Sequence, residues 1–177
     1  TEVSNGNPLK LSLRNLTIQG FAADSFGQNL PGGALSIYGR ASVTLSHVRF
    51  ESNKASGSGG AIYVAGGADF NMSDCSFVNN VASAGDGGAV SIEGGSFRVE
   101  RCDFSDNEAR SGRGGALYVD DGDSDNGTAF SIEKCSFTAC DAQMGGAVYY
   151  NGRDAASLSL SDSTFANCTA NAKDGEG

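Results

Sequence analysis

The chain has 177 residues, long enough for a continuous core in a single domain, so it is not a miniprotein held together by disulfides. Glycine contributes 26 residues, but proline contributes only 2 and 39% of the chain is apolar, which excludes collagen and argues against a disordered linker. The net charge of −9 makes nucleic acid and anionic membranes poor partners, and no apolar run is long enough for insertion into a bilayer. The polar ends, at Thr1 and Gly177, suggest one domain over residues 1–177 that has been cut from a longer surface protein.

The predicted elements repeat one pattern along the chain. An alternating apolar segment comes first and ends at Ile18, and a Gly-Gly-Ala-aliphatic motif then precedes each later segment, which ends in phenylalanine. The motif occurs five times, at residues 32–35, 59–62, 87–90, 114–117 and 145–148. The phenylalanines are Phe50, Phe77, Phe104, Phe137 and Phe165. The period is about 27 residues with insertions, which is typical of a solenoid.

Alignment of the repeats on the phenylalanine, with Ile18 in its place in the first repeat, produces further columns of like residues. The position seven residues earlier is apolar in every repeat, and so is the position five earlier. The first of these columns is Leu11, Val43, Phe70, Phe97, Phe130 and Leu158. The second is Leu13, Leu45, Met72, Val99, Ile132 and Leu160. Alternation with polar residues has the period of two that belongs to a strand with one buried face.

Each repeat is too small to bury its own apolar face, so successive repeats must stack. Two adjacent polar residues, such as those at 100–101, interrupt the alternation once per repeat and predict a corner. We therefore predict three short strands per coil, each pairing in parallel with its copy in the next coil. The strong bias of parallel crossovers makes the winding right-handed. The predicted fold is an all-β, right-handed parallel β-helix of about six coils, with an insertion loop at residues 120–128.

The repeat resembles that of the chlamydial polymorphic membrane proteins and of similar secreted bacterial and protist proteins, which is defined by Gly-Gly-Ala-(Ile/Leu/Val) and Phe-x-x-Asn. The second element occurs three times here, as Phe50 to Asn53, Phe77 to Asn80 and Phe104 to Asn107. Cys140 and Cys168 replace the asparagine in the last two coils, and Phe21 does so in the first. The resemblance implies a surface-exposed β-helix with an adhesive or structural role.

The asparagines and cysteines of the repeats are expected to stabilise the fold rather than to bind a ligand. Asn53, Asn80 and Asn107 tolerate left-handed backbone conformations and can hydrogen-bond the neighbouring turns. A second group, Cys75, Cys102 and Cys135, falls in one inward column, and we expect these thiols to be buried and reduced. Cys140 and Cys168 lie in a turn on consecutive coils, where we predict a disulfide; the alternative is that both replace asparagine as small buried residues.

Acidic residues in the longest insertion suggest a calcium site. Asp121, Asp123 and Asp125 alternate as oxygen ligands do in the first half of a calcium loop. The match is imperfect, because the glycine comes one position late and Ile132 stands where a closing glutamate is expected. The alternative is a solvated acidic loop tip. Calcium is the only cofactor that the sequence suggests.

Two sets of outward residues suggest contacts with other molecules. Tyr63, Tyr118 and Tyr149, together with Ser36 and Ser91, predict one exposed column that could stack on a sugar or anchor a protein partner. The alternative is that tyrosine is simply favoured on half-exposed strands. The Asn-x-Ser/Thr motif for N-glycosylation occurs at Asn15, Asn71, Asn126 and Asn167. We predict that all four side chains point outward and can be glycosylated.

These features favour a non-catalytic extracellular or cell-surface β-helix segment, either an adhesin or a rigid spacer. Its expected partners are a protein or glycan at a cell surface, with flanking domains of the same parent chain or end-to-end neighbours. The alternative is a polysaccharide lyase or hydrolase, since the fold commonly hosts such enzymes. Residues 120–125 with Arg153 are the only group that approximates a lyase site. An ice-binding face is disfavoured because the outward columns mix charges, serine and tyrosine.

Overall fold

The computed structural model describes residues 8–24, 27–122, 129–152 and 157–171. Within these ranges the chain forms β-strands and turns wound into a solenoid. Each strand pairs in parallel with the equivalent strand of the next coil, as predicted. None of the described residues belongs to a helix that could span a membrane.

The first sheet contains the strands that follow each Gly-Gly-Ala motif. Its five strands are β3 (Leu35–Tyr38), β6 (Ile62–Ala65), β10 (Val90–Glu93), β14 (Leu117–Asp120) and β18 (Val148–Asn151). Their registers keep equivalent residues side by side, so that Tyr63, Ser91 and Tyr118 are direct neighbours across the strands.

The second sheet has ten strands and bends along its length. Two long strands, β1 (Leu9–Gln19) and β4 (Ala41–Glu51), cross the bend. On one side of it lie β7 (Asp69–Ser73), β11 (Ser96–Glu100), β15 (Ala129–Glu133) and β19 (Ser157–Ser161). On the other side lie β8 (Ser76–Val78), β12 (Asp103–Ser105), β16 (Ser136–Thr138) and β20 (Thr164–Ala166). The predicted corner is confirmed, because Arg101 and Lys134 have φ angles of 50° and 54° in the left-handed region.

The third sheet was not predicted as strands. Its members are β2 (Ala22–Ala23), β5 (Lys54–Ala55), β9 (Val81–Ala82), β13 (Glu108–Arg113), β17 (Asp141–Met144) and β21 (Thr169–Ala170). Most of them have too few residues to show a period of two. A coil therefore has four strand segments rather than three. The described chain has five complete coils rather than six, because β1 and β2 have no first-sheet strand of their own coil before them.

Phenylalanines form the central stack of the core. Phe50, Phe77, Phe104, Phe137 and Phe165 lie one above another, with successive ring centroids 4.7–5.0 Å apart. The rings are within 7° of parallel, because the strand register places each ring directly over its equivalent in the next coil. Each fully buried phenylalanine contributes roughly 1.5–3 kcal/mol from burial. The stack therefore couples each coil to its neighbours.

A ladder of buried asparagines runs beside this stack. The side chains of Asn53, Asn80 and Asn107 are fully buried. The Oδ1 atom of Asn80 accepts hydrogen bonds of 3.0 Å from both the backbone N–H and the Nδ2 of Asn53. Asn107 accepts the same pair of bonds from Asn80. The predicted bonds between neighbouring turns are confirmed, but the left-handed residue is the one before each asparagine, for example Asn79 with φ 55°.

The glycine pairs allow the coils to approach closely before the first sheet. Gly87, the first of one pair, has a φ of 69°, which only glycine adopts readily. Gly88, the second, faces the backbone of the next coil, where an added Cβ would overlap the carbonyl oxygen of Gly115. The pair thus combines a left-handed turn with a contact that admits no side chain.

Candidate functional site

The tyrosine column of the first sheet is less exposed than the sequence suggested. Tyr118 is only 4% exposed and Ser91 is fully buried, whereas Tyr63 and Tyr149 are half-buried. The prediction of one exposed column over Ser36, Tyr63, Ser91, Tyr118 and Tyr149 was therefore wrong for Ser91 and Tyr118, whereas Ser36 is exposed as predicted. The side chains do point away from the core, but other parts of the chain cover several of them.

In two coils, residues just before the Gly-Gly-Ala motif contact the outer face of the strand that follows it. Before β3 the contact is a 2.7 Å hydrogen bond from the Ser36 hydroxyl to the carbonyl oxygen of Pro31. Before β14 the last residue of β13, Arg113, places its guanidinium carbon 4.8 Å from the ring centroid of Tyr118. Arg113 thus shields Tyr118 from water, whereas Ser36 remains exposed.

Arg113 is the centre of a charged and aromatic cluster. Its guanidinium also lies 5.1 Å from the ring centroid of Tyr149, and the two tyrosine rings stack with centroids 5.8 Å apart. Asp86, from the preceding coil, accepts hydrogen bonds of 3.1 Å from Nε and 2.7 Å from a terminal nitrogen of Arg113. These bonds raise the pKa of Arg113 further above its ordinary value. Burial raises the pKa of the Tyr118 hydroxyl, so this tyrosine remains neutral.

The pairing of Asp86 with Arg113 was not predicted from the sequence. Both residues immediately precede a glycine pair, in consecutive repeats 27 residues apart. Alignment of the repeats on the glycine pair rather than on the phenylalanine would have placed them in one column. The ion pair between Asp74 and Arg101, in contrast, joins two residues that both stand three positions before the phenylalanine, with bonds of 2.8 Å and 3.0 Å.

A second carboxylate and tyrosine meet two coils before this cluster. The hydroxyl of Tyr63 donates a 2.8 Å hydrogen bond to Glu93 of the next coil. Burial, followed by this bond, raises the pKa of Tyr63. The Tyr38 ring lies beside it, with centroids 5.6 Å apart. Next to Tyr63 is a cleft of about 330 Å³, which is also lined by Ser58, Asp86 and Glu93.

The predicted calcium ligands are only partly described. Asp123 and Asp125 lie outside the described residues, so the calcium site remains a prediction. Asp121 is described and is 4% exposed, and its charge adds to burial in raising the pKa of Tyr150. Within the described ranges, no three histidine, cysteine, aspartate or glutamate side chains are grouped so that they could hold a metal ion.

The candidate lyase group, residues 120–125 with Arg153, is likewise only partly described, because residues 123–125 and Arg153 lie outside the described residues. Asp120 is described, and its carboxylate accepts hydrogen bonds from the Tyr118 hydroxyl, the backbone of Gly122 and the Asn151 side chain. These bonds give Asp120 a structural role in holding the end of β14.

The inward cysteine column is buried, as expected. Cys75, Cys102 and Cys135 are 2%, 0% and 3% exposed and are free thiols. The backbone N–H of Cys75 lies 3.4 Å from the Cys102 sulfur, and side-chain hydrogen bonds with Cys135 and Cys75 raise the pKa of Cys102. Cys102 therefore stays protonated in the core, whereas its hydrogen bonds with Cys75 and Cys135 lower the pKa values of those two thiols.

Cys140 and Cys168 lie on consecutive coils, as predicted, but are not joined in this structure. Cys140 is fully buried and Cys168 is partly exposed. Burial, the largest cause, and the neighbouring Cys168 raise the pKa of Cys140 to about 12. Cys140 occupies the asparagine position of its coil, which fits the alternative of a small buried residue; disulfide formation on oxidation remains a prediction.

Three of the four sequon asparagines can be placed. Asn15, Asn71 and Asn167 are all exposed, and Asn15 and Asn167 occupy left-handed turn positions with φ of 53° and 55°. Asn126 lies outside the described residues. The glycosylation of these four sites remains a prediction.

Comparison with known proteins identifies the family. The sequence model described as a right-handed beta helix region matches residues 3–175. No curated protein and no solved structure matches the chain significantly. The family match covers nearly the whole chain and agrees with the parallel coils described above. The chain therefore belongs to the right-handed β-helix family.

Proposed function

We propose that the chain is a non-catalytic segment of an extracellular, cell-surface protein, in which the β-helix acts as an adhesive surface or a rigid spacer. The observation that carries the proposal is the unbroken stacking of equivalent side chains from coil to coil. Because the phenylalanine and asparagine ladders link each coil to the next, the segment has a fixed length and presents its outer faces in fixed positions.

The resemblance of the repeat to that of the polymorphic membrane proteins supports this proposal. The Phe-x-x-Asn element has a structural purpose here, since its asparagines form the buried ladder. The Gly-Gly-Ala element provides the close turn before the first sheet. Both elements maintain the solenoid, which is what a spacer or display surface requires.

The adhesive half of the proposal depends on the outer face of the first sheet. That face holds the Arg113 cluster and the cleft beside Tyr63, whereas the outer face of the second sheet carries surface ion pairs such as Asp74–Arg101. We propose a protein or glycan at a cell surface as the partner of the first-sheet face. We also expect flanking parts of the parent chain or end-to-end neighbours to contact the last coil, which exposes Leu160 and Phe165.

Cell and glycan binding tests the proposal. Fluorescently labelled protein should bind cultured cells or a glycan array if the segment is adhesive, and Tyr63→Ser with Tyr149→Ser should reduce that binding. Binding to neither, with a rod of fixed length seen by small-angle scattering within the parent chain, would favour the spacer. Cleavage of acidic or neutral polysaccharides that is lost in Asp123→Ala would overturn both and identify an enzyme.

A further inference from the structure

Two coils carry a related arrangement on the outer face of the first sheet. It consists of the residue before the glycine pair, the residue in the tyrosine column and a carboxylate that accepts a hydrogen bond from the tyrosine hydroxyl. In the coil of β14 these are Arg113, Tyr118 and Asp120. In the coil of β6 the first two are Ser58 and Tyr63, and the carboxylate is supplied by Glu93 of the next coil.

In the coil of β14 the arrangement holds a guanidinium from the same chain. Arg113 lies over the ring of Tyr118, and the hydroxyl of that ring donates a 3.1 Å hydrogen bond to Asp120. Asp86 of the preceding coil pairs with the guanidinium through both of its oxygens. A tyrosine ring whose hydroxyl is fixed by a carboxylate thus serves, in this fold, as a platform for an arginine.

In the coil of β6 the same platform has no arginine of its own. The ring of Tyr63 is fixed by Glu93, as the ring of Tyr118 is fixed by Asp120. The short Ser58 stands where the long Arg113 stands in the other coil, and the space beside Tyr63 is the cleft of about 330 Å³. Glu93 lines this cleft, and so does Asp86, whose two oxygens are already engaged by Arg113; among the described residues these two are the charged side chains of the lining.

We propose that this cleft, called the Tyr63 cleft below, binds the guanidinium of an arginine side chain supplied by a partner protein. A planar guanidinium can stack on the Tyr63 ring and donate hydrogen bonds to the Glu93 carboxylate at the same time, which an ammonium does less well. The net charge of −9 would also attract a basic segment of the partner and repel an acidic one. The inference deepens the proposed function, since it rests on the binding surface proposed above and names its ligand.

A titration followed by NMR tests the proposal. The ¹⁵N-labelled chain is titrated with the peptide acetyl-Gly-Arg-Gly-amide and with the same peptide carrying lysine or uncharged citrulline. The arginine peptide should shift the amide signals of Tyr63 and Glu93, with lysine weaker and citrulline at least tenfold weaker. Glu93→Gln keeps an acceptor for the Tyr63 hydroxyl but removes the charge, and should weaken binding by about ten- to a hundredfold.

Two further variants separate the site from general effects. Glu133→Gln removes one negative charge from the second sheet, so it matches Glu93→Gln in net charge and should leave arginine binding unchanged. Ser58→Arg places in the coil of β6 the residue that the coil of β14 already has, and should block the cleft. This variant keeps the proposal testable if Glu93→Gln fails to fold.

Several outcomes would overturn the proposal. These are equal binding of the citrulline peptide, equal losses in Glu93→Gln and Glu133→Gln, shifts that avoid Tyr63 and Glu93, or binding that persists in Ser58→Arg. Arginine binding without cell binding would support the cleft and remove only the adhesive half of the proposed function. Cell binding without arginine binding would overturn the cleft and leave the proposed function standing.

Discussion

The buried asparagine ladder makes a sharp prediction about stability. Asn80→Ala removes the Oδ1 atom that accepts hydrogen bonds from the backbone N–H and the Nδ2 of Asn53, each 3.0 Å long. It also removes the bonds from the Asn80 Nδ2 to the Phe50 carbonyl and to Asn107. The alanine side chain can replace none of these, and the ladder position is fully buried.

The magnitude follows from the groups that lose their partner. Two buried donors of Asn53 lose an acceptor, and an unsatisfied buried group costs about 1–3 kcal/mol. Because the two donors share one acceptor, their costs do not add fully, and we expect Asn80→Ala to lower the free energy of unfolding by about 3 kcal/mol. For a chain of this size, the melting temperature should fall by about 6–12 °C.

Urea and thermal unfolding followed by circular dichroism measure this loss. The matched control is Asn71→Ala, since Asn71 is an exposed asparagine on β7 and its loss should change the free energy of unfolding by less than about 0.5 kcal/mol. Asn80→Cys introduces the residue that Cys140 provides in the same column and should cost less than alanine. If Asn80→Ala were no more destabilising than Asn71→Ala, the ladder would not hold the coils together.

Three other predictions concern the core, the close turns and the thiols. Phe104→Ala should cost about 3–5 kcal/mol in urea unfolding, because its ring is 1% exposed within the stack, whereas Phe165→Ala should cost about 1 kcal/mol because its ring is 46% exposed; equal losses would contradict the stack. Gly88→Ala should cost at least about 3 kcal/mol, since its Cβ would overlap a backbone oxygen of the next coil, and a variant as stable as the parent would refute that contact. Native-state alkylation at pH 8, read by mass spectrometry, should modify Cys168 and spare Cys140, whose pKa is raised to about 12; rapid labelling of Cys140 would contradict its burial. The ordinary pKa of a cysteine thiol is 9.0, so Cys140 should not affect the free energy of unfolding below pH 9 and should lower it between pH 9 and about 12. The Cys140→Ala variant should abolish this pH dependence.

The fold was predictable because equivalent positions of successive repeats are neighbours in the structure. In a solenoid each residue contacts its equivalent one coil away, so a column of like residues in the sequence is also a contact in space. Phe77 and Phe104 show this directly, being 27 residues apart in the sequence and 4.9 Å apart between ring centroids. The corner at Arg101 could be predicted for the same reason, since the alternation slips at the equivalent place in every repeat.

Only the tertiary structure decided what happens on the outer faces. The sequence predicts that Tyr118 points away from the core, which is correct, but its burial depends on Arg113 folding back from a different position of the repeat. Contacts between non-equivalent positions leave no periodic signal, because they depend on the path of a turn and the length of one side chain. For the same reason the Tyr63 cleft is not evident from the sequence; it is lined by Ser58, at the position where a later coil has Arg113.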